Sequence, residues 1–560
     1  MRAKPWPSFV PSNRRSRINR CGYLETGNPT KRQYQNHPPL KTSLKSDIYI
    51  RPVNFHPSAF ILSLHNSRMS FFDTSIVIAY FAAVLIVGIR FGKKNESMES
   101  YVVGGRQVPW LAVLGSLVAT EISAATFLGT PGVGYSSNLG YLQMGIGSIL
   151  ARFAIAFIFL GAFYKLRVLS IYQYLAHRFG STSHYTAASF FLASRVMASA
   201  VRLMIASTGL HVILGLPFGW TMIGFASLCL IYAGIGGIKA VIWTDCIQAI
   251  VFLSSGVIMI WVLNDAIGWS SILETGSETG RLEIFQWTAK GSFLTDPNWF
   301  FLAAVFGFIN TLAMQGTDHD FTQRMLTCKN LNQARRGIII SGFIALPVAA
   351  LFLLIGVGLF SYYQQFPDAS LPTKLIEGIA TIDSDKVFPH FIATALPSGL
   401  RGLLLCGVLA AAMSSLDSAM AALSSSIVVD LYQPLLPRKV SASQQVWAAR
   451  IFMAIVATAL VAIAWSLQNG GQFIWLAFKI AGVTYSGLLG VFLIGLLTKR
   501  GHDRFNLVAM TSGSAITATL LLLSENGYIN LAWQWPMLTG VTATFLIGIV
   551  PAASGRKDEV

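Results

Sequence analysis

The sequence predicts an all-α polytopic membrane protein of about thirteen transmembrane helices, each needing about 20 mostly apolar residues. Three observations lead there. Of 560 residues, 53% are hydrophobic and only 12% charged, where soluble domains are about a quarter charged. Apolar runs of membrane-crossing length recur along the whole chain. The loops between them alternate between strongly basic and nearly uncharged. Backbone polar groups in lipid must be satisfied internally, so the runs are read as helices.

The predicted spans cover 71–90, 110–134, 141–163, 186–214, 218–236, 241–263, 298–315, 337–361, 400–430, 447–466, 473–497, 505–523 and 534–552. If the first runs from outside to inside, the odd-numbered loops carry Lys93, Lys94, Arg106, Lys165, Arg167, Arg178, Lys239, Arg324, Lys329, Arg335, Arg336, Arg438, Lys439, Lys499, Arg500 and Arg504. The even-numbered loops carry only Arg281, Lys290, Lys374 and Lys386. Basic loops stay in the cytoplasm, so the N-terminus is expected outside and the C-terminus inside a plasma (inner) membrane. A miscounted span would scramble this alternation.

Residues 1–68 hold no spanning run, yet carry much of the net charge of +17, with Glu25 and Asp47 as their only acids. An Arg-rich, acid-poor leader can be a targeting peptide. The alternative, which a basic leader placed outside favours, is that the protein starts at Met69. Cys21, Cys229, Cys246, Cys328 and Cys406 are scattered without a C-x-x-C pair, so neither a disulfide framework nor a zinc site is expected.

Polarity inside the spans marks the functional candidates. The second span, "WLAVLGSLVATEISAATFLGTPGVGY", holds Glu121 and the run Gly129-Thr130-Pro131-Gly132. Proline and glycine there predict a broken helix, whose freed carbonyls must find partners. Transporters coordinate coupling ions with such carbonyls; a simple kink is the other reading. In the ninth span, Ala411, Ser414, Ser415 and Ser418 fall at i, i+3, i+4 and i+7, on one face. That stripe suits close helix packing, or hydroxyl oxygens offered to a hard cation. Charges inside lipid are functional hypotheses by default. Arg152, Arg195, Arg202, Asp245, Asp417 and Lys479 are such charges. Internal pairing is one reading, for example Glu121 with an arginine, and pairing or function stays open for Arg195 and Arg202. Arg152 is the better candidate to meet a substrate carboxylate. His211, near a span end, reads as structural.

Several blocks resemble one family, the sodium:solute symporters. "SMESYVVGGRQVPWLAVLGSLVATEISAATFLGTPGVGY" is similar to its opening block. "YAGIGGIKAVIWTDCIQ" resembles its signature at Tyr232, Gly236, Gly237 and Trp243–Asp245. "TDHDFTQRMLTCKNLNQARRGI" resembles the segment after the seventh span, and "AAMSSLDSAMAALSSSIVVDLYQP" the ninth helix and its exit. The blocks follow family order from Phe71 to about Arg504.

The resemblance implies a leucine-transporter-like core of two inverted five-helix repeats, 110–263 and 298–497, and alternating access. Around it lie the leader (1–68), a first helix and cytoplasmic loop (69–109), an extracellular loop (264–297) and two C-terminal helices with a short tail (498–560). It implies a sodium ion bound by the carbonyls of Ala119, Ile122 and Ala411 and the hydroxyls of Ser414 and Ser415, with Asp245 on the ion's path to the cytoplasm. Glu121, Thr126 and Thr311 fall where relatives meet substrate or a gate. A gapped third-span match adds Gln143, Ser148 and Arg152. Sugar-transporting relatives carry an amide at the Glu121 position and an aromatic gate where Met314 falls. Asp417 matches no family ligand; a second cation site is one reading.

The expected function is therefore sodium-coupled import of a small organic solute, without covalent chemistry. Arg152 and Lys479 lean the solute towards a carboxylate-bearing class, with a sugar-like one beside it. A proton-coupled permease of the same fold and a non-transporting sensor are the competing classes. No catalytic pattern of Ser–His or His–Glu on shared faces suggests an enzyme. The expected partners are the solute, sodium and the bilayer, with no nucleic acid, and a monomer or weak oligomer.

Overall fold

The computed structural model describes residues 69–92, 97–376, 379–436, 441–467 and 473–550. The leader, residues 1–68, lies outside these residues. Among the described residues, nine helices are long and apolar enough to cross a membrane. Two bent helix pairs and two shorter apolar helices complete a set of spans at the thirteen predicted places.

Span 1 is Phe71–Gly92, and span 2 is the pair Trp110–Glu121 and Ala125–Ser136, bent by 53°. Span 3 runs Gln143–Lys165 in three consecutive helical segments, and span 4 is Ser181–Leu214. Spans 5 and 6 form one run, Phe218–Ile267, broken at Gly237. Span 7 is Phe300–Gly316, followed across a 63° bend by His319–Leu326. Span 8 is Leu331–Gln365, span 9 Leu400–Leu435 and span 10 Ala442–Ser466. Spans 11, 12 and 13 are Phe473–Leu497, Asp503–Glu525 and Trp535–Ile549. The two bent spans, 2 and 7, stand five spans apart, each opening one of the two predicted five-helix groups.

The structure departs from the sequence reading in three local ways. A loop was expected between spans 5 and 6. Instead Gly237, at φ 60°, takes a left-handed turn that only glycine adopts cheaply, and the helix resumes at once. The connection before span 9 carries a two-stranded antiparallel hairpin, Thr373–Ile376 with Ile379–Ile382, and a helix, Ser384–Thr394. A further helix, Trp269–Glu278, follows span 6. These pieces are too short for a membrane-scale hydropathy reading to register.

The third departure positions the site. The break in span 2 was expected at Gly129–Gly132, but it lies at Ile122–Ala124. Pro131 lies within a helical run that continues unbroken into Thr130–Ser136. A wide π-helical turn, Ala125–Gly129, precedes it. Similar turns occur at Ile155–Phe159 in span 3, Leu312–Gly316 in span 7 and Ile427–Tyr432 in span 9. Such turns often mark functional positions.

Small residues bring the spans together. A Cβ on Gly147 would lie 1.8 Å from the Ala304 carbonyl oxygen, and one on Gly307 would lie 2.1 Å from that of Met144. Spans 3 and 7 therefore touch backbone to backbone, a contact that only glycine allows. Of the nine long apolar helices, span 9 is the most enclosed: 94% of its apolar stretch is buried, against 22% for span 1. Span 9 is thus a central post, and span 1 lies at the periphery.

Candidate functional site

The break in span 2 faces span 9. At the break the amides of Thr126 and Phe127 both bond to the Ser123 carbonyl, and the Ser123 amide bonds to that of Glu121. The Ile122 carbonyl is bypassed. Opposite it, Ser414 Oγ donates to the Ala119 carbonyl at 2.9 Å and to that of Ala411 at 3.3 Å. Ser415 Oγ donates to the carbonyl of Ala412 at 3.1 Å, with that of Ala411 at 3.5 Å. Ala119, Ala411, Ser414 and Ser415 have no exposure. The structure thus brings together the oxygens of Ala119, Ala411, Ser414 and Ser415, with Ile122 at the same break. All are neutral carbonyl or hydroxyl oxygens, a donor set suited to a hard monovalent cation. Each hydroxyl also keeps lone pairs that its present bond does not use.

A cavity of about 160 Å³ lies beside this break. Its walls come from spans 2, 3, 4, 7, 8 and 11, and include Glu121, Thr126, Ser148, Arg152 and Thr311. Four of these form a chain. Thr311 Oγ1 donates to Ser148 Oγ at 2.7 Å, Arg152 Nη1 bonds Ser148 at 2.6 Å, and Arg152 Nη2 is ion-paired to Glu121. Spans 7, 3 and 2 are thereby tied together across the cavity. Arg152, expected as the receptor of a substrate carboxylate, already holds a carboxylate of the protein. Gln143 does not join this group. Its amide donates to the Gly140 and Asn298 carbonyls and accepts from the Gln286 amide.

Gln143 lines a second cavity, of about 390 Å³, that shares Tyr141 and Met144 with the first. Lys479 and Trp475 also line it. Lys479 forms an ion pair with Glu525 at 2.6 Å at the edge of the bundle. It was counted towards a carboxylate solute from its place in an apolar run. The structure puts it near the span end opposite the basic loops, in reach of span 12.

Towards the basic loops, the central cavity ends on a dry network of charge. Arg195 is ion-paired to Asp318, at 3.3 Å, and to Asp320. Arg324 pairs with Asp320 and, at 3.1 Å, with Asp245. Tyr485 donates to Asp318, Ser116 donates to Asp245, and Arg324 Nε donates to Ser116 at 2.8 Å. All five charged side chains are fully buried. Spans 2, 4, 6 and 11 and the helix after span 7 are locked together there. Asp245 Oδ1 stays without a partner, three residues along from the level of Ala119 on the Ser116 side. Asp417 points elsewhere, accepting from the Tyr232 hydroxyl of span 5 at 2.5 Å. His211 bonds the Leu216 carbonyl at 2.6 Å and finishes span 4, the structural part expected of it.

Order along the chain and this pairing of a broken second span with the ninth decide the family. A family model described as the sodium:solute symporter family matches residues 101–513. The chain belongs to that family. Its relatives include the sodium/sialic acid symporter of Proteus mirabilis, 29% identical over 79% of this chain and 87% of that protein. The sodium/glucose cotransporter of Vibrio parahaemolyticus is 26% identical over 79% of this chain and 84% of its own. A solved structure of a Na+-coupled sialic acid symporter in a substrate-bound outward-open state matches with a TM-score of 0.77. It shares 24% identity and covers 86% of this chain and 97% of that one. The leucine-transporter-like fold expected from the sequence is therefore the fold of this family member.

Sequence reasoning missed Tyr141, Asn310 and Gln315, which line the central cavity. Asn310 and Gln315 were legible as amides inside an otherwise apolar seventh span. Tyr141 gave no such signal, because a tyrosine at a span end is ordinary at a membrane interface. The partners of Arg195 were missed because Asp318 and Asp320 lie more than a hundred residues away, in a segment read as a loop.

Proposed function

We propose that the protein is a sodium-coupled symporter that imports a small organic solute by alternating access. The observation that carries this reading is the neutral oxygen cluster where the break of span 2 meets span 9. Sodium is cargo there: the carbonyls of Ala119, Ile122 and Ala411 and the hydroxyls of Ser414 and Ser415 are its ligands. Bound sodium ties the span 2 break to span 9 and favours the arrangement in which the central cavity takes up solute. Glu121, Thr126, Ser148, Arg152 and Thr311 form the solute site, and Gln143 belongs to its approach.

Positive-inside topology supports a cytoplasmic face at the basic loops of a plasma (inner) membrane, with the N-terminus outside and the C-terminus inside. The Arg195–Asp318–Asp320–Arg324–Asp245 network is then the inner closure, and Asp245 borders the ion's exit. The two five-helix groups, 110–263 and 298–497, are the parts that rock against each other.

The driving force is bounded. One charge crossing about 100 mV supplies about 2.3 kcal/mol. A tenfold sodium gradient adds about 1.4 kcal/mol. Their sum, about 3.7 kcal/mol, supports roughly 500-fold accumulation of a neutral solute per sodium ion.

The test is uptake by proteoliposomes holding the full chain. Solute entry should require an inward sodium gradient and stop when choline replaces sodium. Uptake that follows a proton gradient in the absence of sodium would instead identify a proton-coupled permease.

A further inference from the structure

The break in span 2 lies where the sequence supplies no breaker. Residues 119–124 read Ala-Thr-Glu-Ile-Ser-Ala, without proline or glycine, although sharp kinks usually fall at those residues or where a side chain intrudes. Ile122 nevertheless takes ψ 83°, where a helix has about −42°. Its carbonyl leaves the helical ladder, because the amides of Thr126 and Phe127 both go to Ser123. A helix opened at membrane depth has to be held open by groups from other spans.

Two contacts flank the Ile122 peptide. On one side Ser414 of span 9 donates to the Ala119 carbonyl at 2.9 Å. On the other, Glu121, the last residue of Trp110–Glu121, is ion-paired to Arg152 of span 3. Arg152 is itself fixed. Its Nη1 bonds Ser148 at 2.6 Å, and Ser148 accepts from Thr311 of span 7 at 2.7 Å. Gly342 of span 8 leaves the slot for its stem: a Cβ there would lie 2.6 Å from Arg152 Cδ. The Arg152 side chain is 1% exposed and that of Glu121 23%. The guanidinium is therefore a post set behind the carboxylate, and the carboxylate is the member of the pair that opens on the central cavity.

We propose that Arg152 is a positioning residue for the sodium site. It holds Glu121 at the end of the first half of span 2, and so aims the Ile122 carbonyl towards Ala411, Ser414 and Ser415 of span 9. This role deepens the symporter reading above and rests on it. Because Glu121 also lines the central cavity, a solute that draws on its carboxylate acts on the same peptide. Solute and sodium are then linked through one ion pair, and each changes the affinity of the other by the same factor.

The experiment follows the melting temperature of the purified full chain in detergent as sodium chloride replaces choline chloride, with no solute present. The wild type should be stabilised along a saturable sodium curve. Arg152→Met cuts the anchor without touching a sodium ligand, and the half-saturating sodium concentration should rise by about tenfold. The sign of this shift is diagnostic. By charge alone, removing a cation near the site would tighten sodium binding. A merely structural loss would lower the melting temperature in choline and leave the half-saturating concentration in place. Arg152→Lys keeps the charge without the fork that spans Glu121 and Ser148, so it should fall between the wild type and the Met variant. Sodium binding as tight as wild type, or tighter, in the Met variant would overturn the positioning role and leave the sodium site standing. The same result in the Lys variant decides the matter if the Met variant does not fold. A wild type that sodium does not stabilise at all would overturn the sodium site itself, and this role with it.

Discussion

Ala119 is three positions on from Ser116, and the chemistry changes completely between them. On the Ser116 side, Asp245, Asp318 and Asp320 are locked to Arg195 and Arg324 with no exposure. At Ala119 the span 2 break meets Ala411, Ser414 and Ser415, and no formal charge is present. In the first region the charges are paired with one another and hold five elements together. The second has lone pairs to spare, and its hydroxyls bond only neutral carbonyls, that of Ala119 across the break and those of Ala411 and Ala412 within span 9. A fixed closure needs the former. Reversible capture of a cation needs the latter, since an ion held by full carboxylates inside a dry bundle would not leave.

That contrast can be broken by mutation. The largest effect is expected for Asp320→Ala, which strips a partner from both Arg195 and Arg324. Each arginine keeps one carboxylate, Asp318 or Asp245, but the network loses a buried negative charge; removing one partner from buried ion pairs costs about 3–5 kcal/mol, so the melting temperature in detergent should collapse even in saturating sodium. Ser414→Ala attacks the other region. The half-saturating sodium concentration for uptake should rise by about tenfold, equivalent to about 1.4 kcal/mol of ion binding. Its stability without sodium should change by only about 1 kcal/mol, the worth of one hydrogen bond. Equal loss of stability in these two variants would erase the distinction between the regions.

Asp245→Asn sharpens the boundary, because the proposed function puts Asp245 in the closure and beside the ion site. The maximal uptake rate should fall by about tenfold, with half-saturating sodium changed by less than about threefold. A large shift in sodium affinity would place Asp245 among the ligands instead. The smallest effect is expected for Lys479→Gln. Its pair with Glu525 is half in solvent, and exposed pairs are worth about 0–1 kcal/mol. Neither melting nor uptake should move measurably; a marked loss of uptake would return Lys479 to the solute path.

The span count, the order of basic and uncharged loops and the stripe at Ala411, Ser414 and Ser415 were all legible along the chain. Each is a local pattern, set by hydropathy over one helix or by the 3.6-residue turn. The place where span 2 breaks was not. The proline–glycine run drew the eye to Pro131, yet a π-helical turn accommodates that proline, and the chain opens at Ile122. Which carbonyl loses its amide depends on how the two halves dock, at 53° to one another.

The partners of the arginines were illegible for a related reason. Arg152, Arg195 and Arg202 read alike, as single cations in apolar runs. Packing gave Glu121 to the first and Asp318 and Asp320 to the second, and, among the described residues, no direct ion pair to the third. The sequence by itself determined a helical membrane protein of about thirteen spans, because burial in lipid and loop charge act one helix at a time, and its ordered blocks carried the resemblance to the sodium:solute symporters. Only the tertiary structure decided which oxygens converge and which charges are already used, because pairing in a low-dielectric interior depends on contacts between spans far apart in the chain.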